Sequence, residues 1–337
     1  MPDTATFIDG LYLSLEIIGE MGLLVLIGYL MVRRGWIGSK TLTDLTKVLI
    51  DGVIPCAFIL AMVRSFNVDV FRDGLILALV ATAWILASWA FGAGWFRLFP
   101  GGSPSKDRSV TAMMMISNSI YLPLPVILAV TPERLHDTAT VYISITALPS
   151  IAIMWTVCVV LLSGNAKPSA RERRKLIFNA PMISLVIGIL LTFVPGITEA
   201  ARNEAGAMVP LKMMFSVMGY LRQTLSPLAM LILGGFIASS RLTERFRVRY
   251  VAPLILIRLV VVPGVVYALI RSGWLGLPAL ASTVLILVAA APPATNHSLI
   301  ARKYNGEWEL VSSLQLIVHA AALLTLPVWL SIGLGMP

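Results

Sequence analysis

Histidine and cysteine are nearly missing from this chain, with three and two copies in 337 residues. Cys56 and Cys158 stand inside apolar segments with no C-x-x-C spacing and no histidine nearby, so neither a disulfide framework nor a zinc site is signalled. Both read as small buried hydrophobes. Short catalytic signatures are missing too: there is no H-E-x-x-H, no G-x-S-x-G and no aspartate pair suited to proteolysis, which argues against an enzyme. No Lys or Arg stands in the first ten residues, so the first apolar run is expected to be a retained helix and not a cleaved signal. Charge is scarce as well. Only 13% of residues are charged against 58% hydrophobic, with a mean hydropathy of +0.87, a balance that a water-soluble domain of this length does not tolerate. The net charge of +9 does not change this, because the basic residues lie in loops between apolar stretches and form no single surface for a nucleic acid. The surroundings expected are membrane lipids.

A hydrocarbon core about 30 Å thick takes roughly 20 apolar residues per helix. Punctuation by charge, glycine and proline predicts ten helices, near residues 10–32, 43–63, 74–97, 109–130 and 138–162, then 177–195, 210–239, 250–270, 277–304 and 309–334. A basic linker, SGNAKPSARERRK, separates the two sets of five. The expected fold is therefore an all-α integral membrane protein with repeats over 1–165 and 177–337, joined by the linker at 166–176. Loops after the odd-numbered helices hold eighteen of the 26 Lys and Arg and those on the other side hold six, which places both termini outside the cytoplasm. Five helices per half means that related halves must be inserted in opposite senses. Weak echoes fit that: Pro55 to Leu60 resembles Pro227 to Ile232, and Leu148-Pro149 resembles Leu326-Pro327.

Two of the ten are broken by their own sequence. The fourth contains SNSIYLPLP from Ser117 to Pro125, and the ninth contains APPATNHS from Ala291 to Ser298. Proline lacks a backbone donor and clashes with the carbonyl four residues back, so each cluster frees polar backbone at membrane depth. Such backbone persists only when packed in protein or lining a watery cavity, and paired breaks in two repeats mark a transporter's substrate site. A half-helix beginning after each break offers N–H groups and partial positive charge to an anion. Asn118, Ser119, Thr295 and Asn296 add side-chain donors, with Pro123, Pro125, Pro292 and Pro293 shaping the breaks. The bland alternative is that these residues only cap and kink two helices.

Other ionisable groups at depth are candidates by default. Arg258 is either a countercharge for the substrate or a residue that snorkels or holds carbonyls. Glu20 and Asp51 are candidates for carrying a coupling ion, Glu16 reaches toward the outer interface, and Glu20 alternatively pairs with Arg222. His297 adjoins the second break and is a candidate substrate contact, whereas His319 reads as helix packing. Tyr142, Ser144 and Thr146 are candidate cavity residues, and Met113, Met114 and Met115 read as lipid and packing contacts.

With LIGYLMVRRGWI, the SNSIYLPLP break, PLAMLILGGFIA and APPATNHSLIARKYNGEWELVSSLQLIV taken together, the chain resembles the auxin efflux carrier family over nearly its whole length. The resemblance implies a fold like that of bile-acid and sodium/proton carriers, in which helices four and nine cross where they unwind and substrate sits at the crossing. It implies an elevator motion of helices 3–5 and 8–10 against a scaffold of helices 1, 2, 6 and 7, through which a homodimer can form. It puts the crossing asparagines on Asn118 and Asn296. The third helix lacks the acidic and lysine residues of plant members, which points away from auxin and toward small mono- or dicarboxylates such as malonate, malate or lactate. The short loops favour a bacterial inner-membrane protein. No cofactor is implied, and coupling to protons or to sodium stays open, as do a sodium symporter of the bile-acid type and a membrane sensor that does not transport.

Overall fold

A computed structural model of the chain describes residues 4–100, 102–165, 169–204, 208–239 and 248–335. Lys167, Arg241, Arg245 and Arg247, counted above among the basic loop residues, lie outside them. Among the described residues regular structure is entirely helical. Seven helices of the described residues are long and apolar enough to cross a membrane: α1 (Thr4–Arg33), α2 (Ser39–Ser65), α3 (Val68–Leu98), α6 (Glu133–Leu162), α10 (Val209–Ser239), α11 (Val248–Arg271) and α14 (Trp308–Leu334). Between them lie the shorter α4 (Pro104–Met115) and α5 (Pro123–Val130), α7 (Ala170–Ile177) with α8 (Ala180–Thr192), α9 (Ile197–Ala201), and α12 (Ala279–Ala290) with α13 (Asn296–Lys303).

Local chemistry sets many of the ends. Asn67 and Asn179 accept hydrogen bonds from the N–H groups of Val70 and Met182 at 2.9 and 3.0 Å, capping α3 and α8. Ser169 and Glu172 form a reciprocal capping box on α7, whose hydrogen bonds hold the Glu172 carboxyl below its usual range. Part of the basic linker is thus a helix, and the span expected from 177 begins only at Ala180. Prolines act in a patterned way inside the spans. Pro55 and Pro263 each follow a wide π turn, Leu49–Val53 in α2 and Leu256–Val261 in α11, which absorbs the ring's clash with the preceding turn. The Leu259 carbonyl, four residues before Pro263, accepts from the Trp329 indole N–H at 2.8 Å, so α14 supplies the donor that the proline lacks.

Helices in a bilayer gain little from burying apolar surface against one another and rely on close packing instead. α1 and α10 approach closely enough that a Cβ on Gly28 would run into the Leu231 carbonyl and one on Gly234 into that of Val25. Gly234→Val is expected to lower the thermal midpoint of the detergent-purified protein by several degrees, an overpacking cost of about 1–3 kcal/mol. An unchanged midpoint would mean that these two helices are free to separate. Most of the outward surface of α1 is apolar and exposed, with Tyr12 at 71% and Leu23 at 61%, as lipid contact requires. Met113, Met114 and Met115, by contrast, are all buried in the main core and touch no lipid.

Candidate functional site

Both breaks exist, and they meet. α4 stops at Met115 and α5 starts at Pro123, while α12 stops at Ala290 and α13 starts at Asn296. The extended segments between them run antiparallel, bridged at Ser117 and Pro293. The Asn118 N–H donates to the Pro292 carbonyl at 2.7 Å and the Ala294 N–H donates to the Ile116 carbonyl at 3.1 Å. Each unwound segment therefore satisfies one donor and one acceptor of the other, the requirement that hydrocarbon imposes on irregular backbone.

A cavity of ≈ 290 Å³ opens beside the crossing. Its walls include Ser117, Asn118, Ser119 and Tyr121 from the first segment, Ala294 and Asn296 from the second, Asp51 from α2, Ser150 and Trp155 from α6, and Asn179 and Pro181 at the start of α8. The Asn118 side chain has a divided role: Oδ1 accepts from the Tyr121 N–H at 3.1 Å, while Nδ2 is buried without a partner among the described residues. Ser119 Oγ donates to Ser150 Oγ at 3.1 Å, and the Asn296 side chain is hydrogen-bonded to Tyr121. The asparagines of the two halves are thus linked through one tyrosine.

The first half-helix presents fewer backbone donors than its sequence suggests. Pro123 and Pro125 have none, and the N–H groups of Leu124 and Val126 are taken by the carbonyls of Ile120 and Leu122, at 3.0 and 3.3 Å. Its contribution to an anion is the helix dipole, with hydrogen bonding left to the Asn118 amide.

The remaining candidates separate into those beside the cavity and those elsewhere. Asp51 and Asn296 line it. Thr295 lines a second, polar cleft with Arg302 and Gln315. His297 is fully buried behind the crossing, one ring nitrogen 2.6 Å from the Ala294 carbonyl and the other 3.1 Å from that of Ala112, and it is not among the cavity's lining residues. Arg258 is also fully buried and outside the lining, its Nη2 donating to the carbonyls of Ala289 and Ala291, each at 3.1 Å, where α12 ends. This is the carbonyl-holding role, since a cation at a helix C-terminus completes its unpaired acceptors. Pro292 faces a third, apolar cavity. Glu16 and Glu20 lie on the exposed face of α1. Arg222 does not meet Glu20; it pairs with Asp137 in the first turn of α6. Tyr142 donates to the buried Asp73 at 3.2 Å, and neither Ser144 nor Thr146 lines the cavity beside Asn118.

Sequence reasoning passed over two residues. Tyr121 was visible inside the SNSIYLPLP run but carries no motif of its own, and Asp137 had no signal at all. Asp137 receives Arg222 Nη1 on one oxygen and lies 3.8 Å from Arg64 Nη1 on the other, so it joins α6 to both α2 and α10.

A family model, Membrane transport protein, matches residues 18–330. An archaeal protein described as an uncharacterized transporter, from Methanothermobacter thermautotrophicus, is 24% identical over 324 residues, 94% of this chain and 97% of its own. Protein PIN-LIKES 7 of Arabidopsis thaliana is 29% identical over 183 residues, 52% of this chain and 46% of its own.

Proposed function

The chain belongs to the membrane transport protein family, that of the auxin efflux carriers, and from that premise we propose that it is a secondary carrier for a small carboxylate such as malonate, malate or lactate. The observation that carries this reading is the unpartnered Asn118 Nδ2, which lies in the wall of the cavity beside two crossing, unwound helices. A buried donor without an acceptor is costly, and a carboxylate oxygen fills that place with a charge-assisted hydrogen bond. At ≈ 290 Å³ the cavity sits at the small end of ligand sites, which suits a few-carbon acid better than a ring system.

The architecture we propose has ten spans in two inverted repeats. The seven long helices count with α8 and with two composite spans, α4 plus α5 and α12 plus α13. Each composite is a helix of 12 residues followed by one of 8, an internal match that supports the repeat. In this reading α1, α2, α8 and α10 form the scaffold, available for a homodimer, and the other spans carry substrate by an elevator motion. With both termini periplasmic in a bacterial inner membrane, the cavity mouth at Asn179 faces the cytoplasm, next to the basic linker. At the opposite end the Arg64, Asp137 and Arg222 cluster ties the two bodies together. That combination is an inward-facing carrier.

Coupling follows from Asp51. Among the described residues it is the one carboxylate lining the cavity, so a bound anion meets a like charge unless a cation neutralises it. A proton on Asp51 is the simplest such cation, with sodium the second reading. Currents and pH changes recorded from proteoliposomes across a panel of small carboxylates test this directly. A carboxylate flux driven by a proton gradient is expected, and Asp51→Asn is expected to keep downhill flux while losing its dependence on the gradient. Flux that needs sodium at constant pH would replace the proton by sodium, and no flux of any carboxylate would remove the carrier reading.

A further inference from the structure

α1 and α14 touch at one end, where a Cβ on Gly10 would lie 3.1 Å from Ser331 Oγ. They diverge toward the other, and the wedge between them, closed behind by α5 and α10, holds a cavity of ≈ 320 Å³. Its walls are apolar, with Ile18 and Val25 of α1, Val126 of α5, Met230 of α10 and Leu326 of α14. Leu26 and Leu323 at its rim are 49% and 53% exposed, so the mouth opens sideways, onto hydrocarbon when the protein is in a bilayer. This cavity shares Leu233, Ile237, Leu316 and His319 with the polar cleft of ≈ 180 Å³ that contains Arg302, Ser298 and Ser39. The apolar cavity thus adjoins a more polar cleft that carries one charged side chain among the described residues, Arg302.

His319 stands at the seam. It is 8% exposed, and its Nδ1 lies 2.8 Å from the Gln315 carbonyl, so that nitrogen is the donor and Nε2 is left as an acceptor or, on protonation, a second donor. Nε2 is buried and has no partner among the described residues. Arg302 lies beyond it, its guanidinium 5.6 Å from the Trp308 ring. On the other side Arg33 donates from Nε to the Tyr29 hydroxyl at 3.1 Å, and Tyr29 lines the apolar wall. Arg302 of α13 therefore stands in the polar cleft, and Arg33 of α1 stands beside the apolar wall at Tyr29.

We propose that this double compartment binds one anionic glycerophospholipid, with an acyl chain in the wedge, the phosphate on Arg302 and a hydroxyl of the glycerol head group on His319 Nε2. Hydrocarbon alone leaves Arg302 and His319 unused, and a free anion leaves the wedge empty. The shape calls for both in one molecule, and the lateral mouth calls for one that already lives in the bilayer. This stands on the membrane location alone and is independent of the substrate assigned above.

The test is native mass spectrometry and thermal stability of the full-length protein in detergent, titrated with phosphatidylglycerol, phosphatidylcholine or inorganic phosphate. One phosphatidylglycerol per chain is expected to be retained and to raise the thermal midpoint. A Cβ on Gly22, in the wedge, meets nothing within 4 Å, so Gly22→Phe fills the site and removes that lipid. Ala320→Phe at the exposed rim is the second variant and is read in the same way. Arg302→Gln is expected to weaken the preference for phosphatidylglycerol over phosphatidylcholine about fivefold, the worth of one basic residue at an anionic head group. Retention of the lipid by both filled variants, equal binding of the two lipids to the unaltered protein, or an equal shift from phosphate alone would each overturn the proposal.

Discussion

Asn118→Asp is expected to reduce carboxylate flux in proteoliposomes by about 10- to 100-fold while leaving yield and thermal midpoint close to those of the unaltered protein. The substitution separates the two halves of one side chain. Asn118 Oδ1 accepts from the Tyr121 N–H and holds the turn between the crossing and α5, and an aspartate oxygen does the same. Nδ2, the unpartnered donor beside the cavity, is replaced by a second acceptor. A hydrogen bond to a charged group contributes about 1.5–3 kcal/mol, and each 1.4 kcal/mol is a factor of ten in binding, which gives the expected range. The new carboxylate also adds negative charge to a cavity that already contains Asp51, in the same direction. Asn118→Ala loses both functions, so it is expected to lose flux and stability together. If Asn118→Asp transports normally and only Asn118→Ala fails, the residue is a turn cap and the binding role assigned to it is wrong.

The breaks themselves were legible in the sequence because proline and asparagine act locally: SNSIYLPLP and APPATNHS interrupt a helix whatever surrounds them. Their crossing is a tertiary event, and the pairing of Asn118 with Pro292 and of Ala294 with Ile116 leaves no trace in either segment alone. Azimuth was the harder problem. Neighbouring residues on a helix point about 100° apart, so Asn296 lines the cavity while His297 turns away toward α4 and the Ala112 carbonyl. Depth alone also made Glu20 a partner for Arg222, yet Glu20 sits on the exposed face of α1 and the arginine finds Asp137. The start of α3 is expected near 74 when apolar length is matched to the bilayer, whereas the helix begins at Val68 and runs for 31 residues; α10, expected over 210–239, spans Val209–Ser239.

The largest conformational effect is expected at the opposite end of the molecule from the cavity mouth. Asp137 binds Arg222 on one oxygen and lies 3.8 Å from Arg64 on the other, with 18% of its side chain exposed. Arg64 in turn donates from Nε to the Ala201 carbonyl at 2.7 Å, and its own carbonyl accepts from Arg202 at 2.8 Å, so the cluster is anchored on the α9 side. In the proposed elevator these contacts span the boundary between scaffold and moving body, and they must break for the outer side to open. Asp137→Asn keeps the size and one weak hydrogen bond but leaves two guanidinium groups facing each other without a countercharge. Losing a charge-assisted contact of about 1.5–3 kcal/mol shifts a two-state ratio by roughly 10- to 100-fold, here away from the inward-facing form. A cysteine replacing Ile151 in the wall of the cavity beside Asn118, on a background without Cys56 and Cys158, reports that form through its labelling from the cytoplasmic side. Labelling is expected to fall in Asp137→Asn, and Arg222→Gln added to it is expected to change little more, because the pair is already broken. Unchanged labelling would mean that the cluster contributes no more than an ordinary surface ion pair and that packing alone holds the outer side closed.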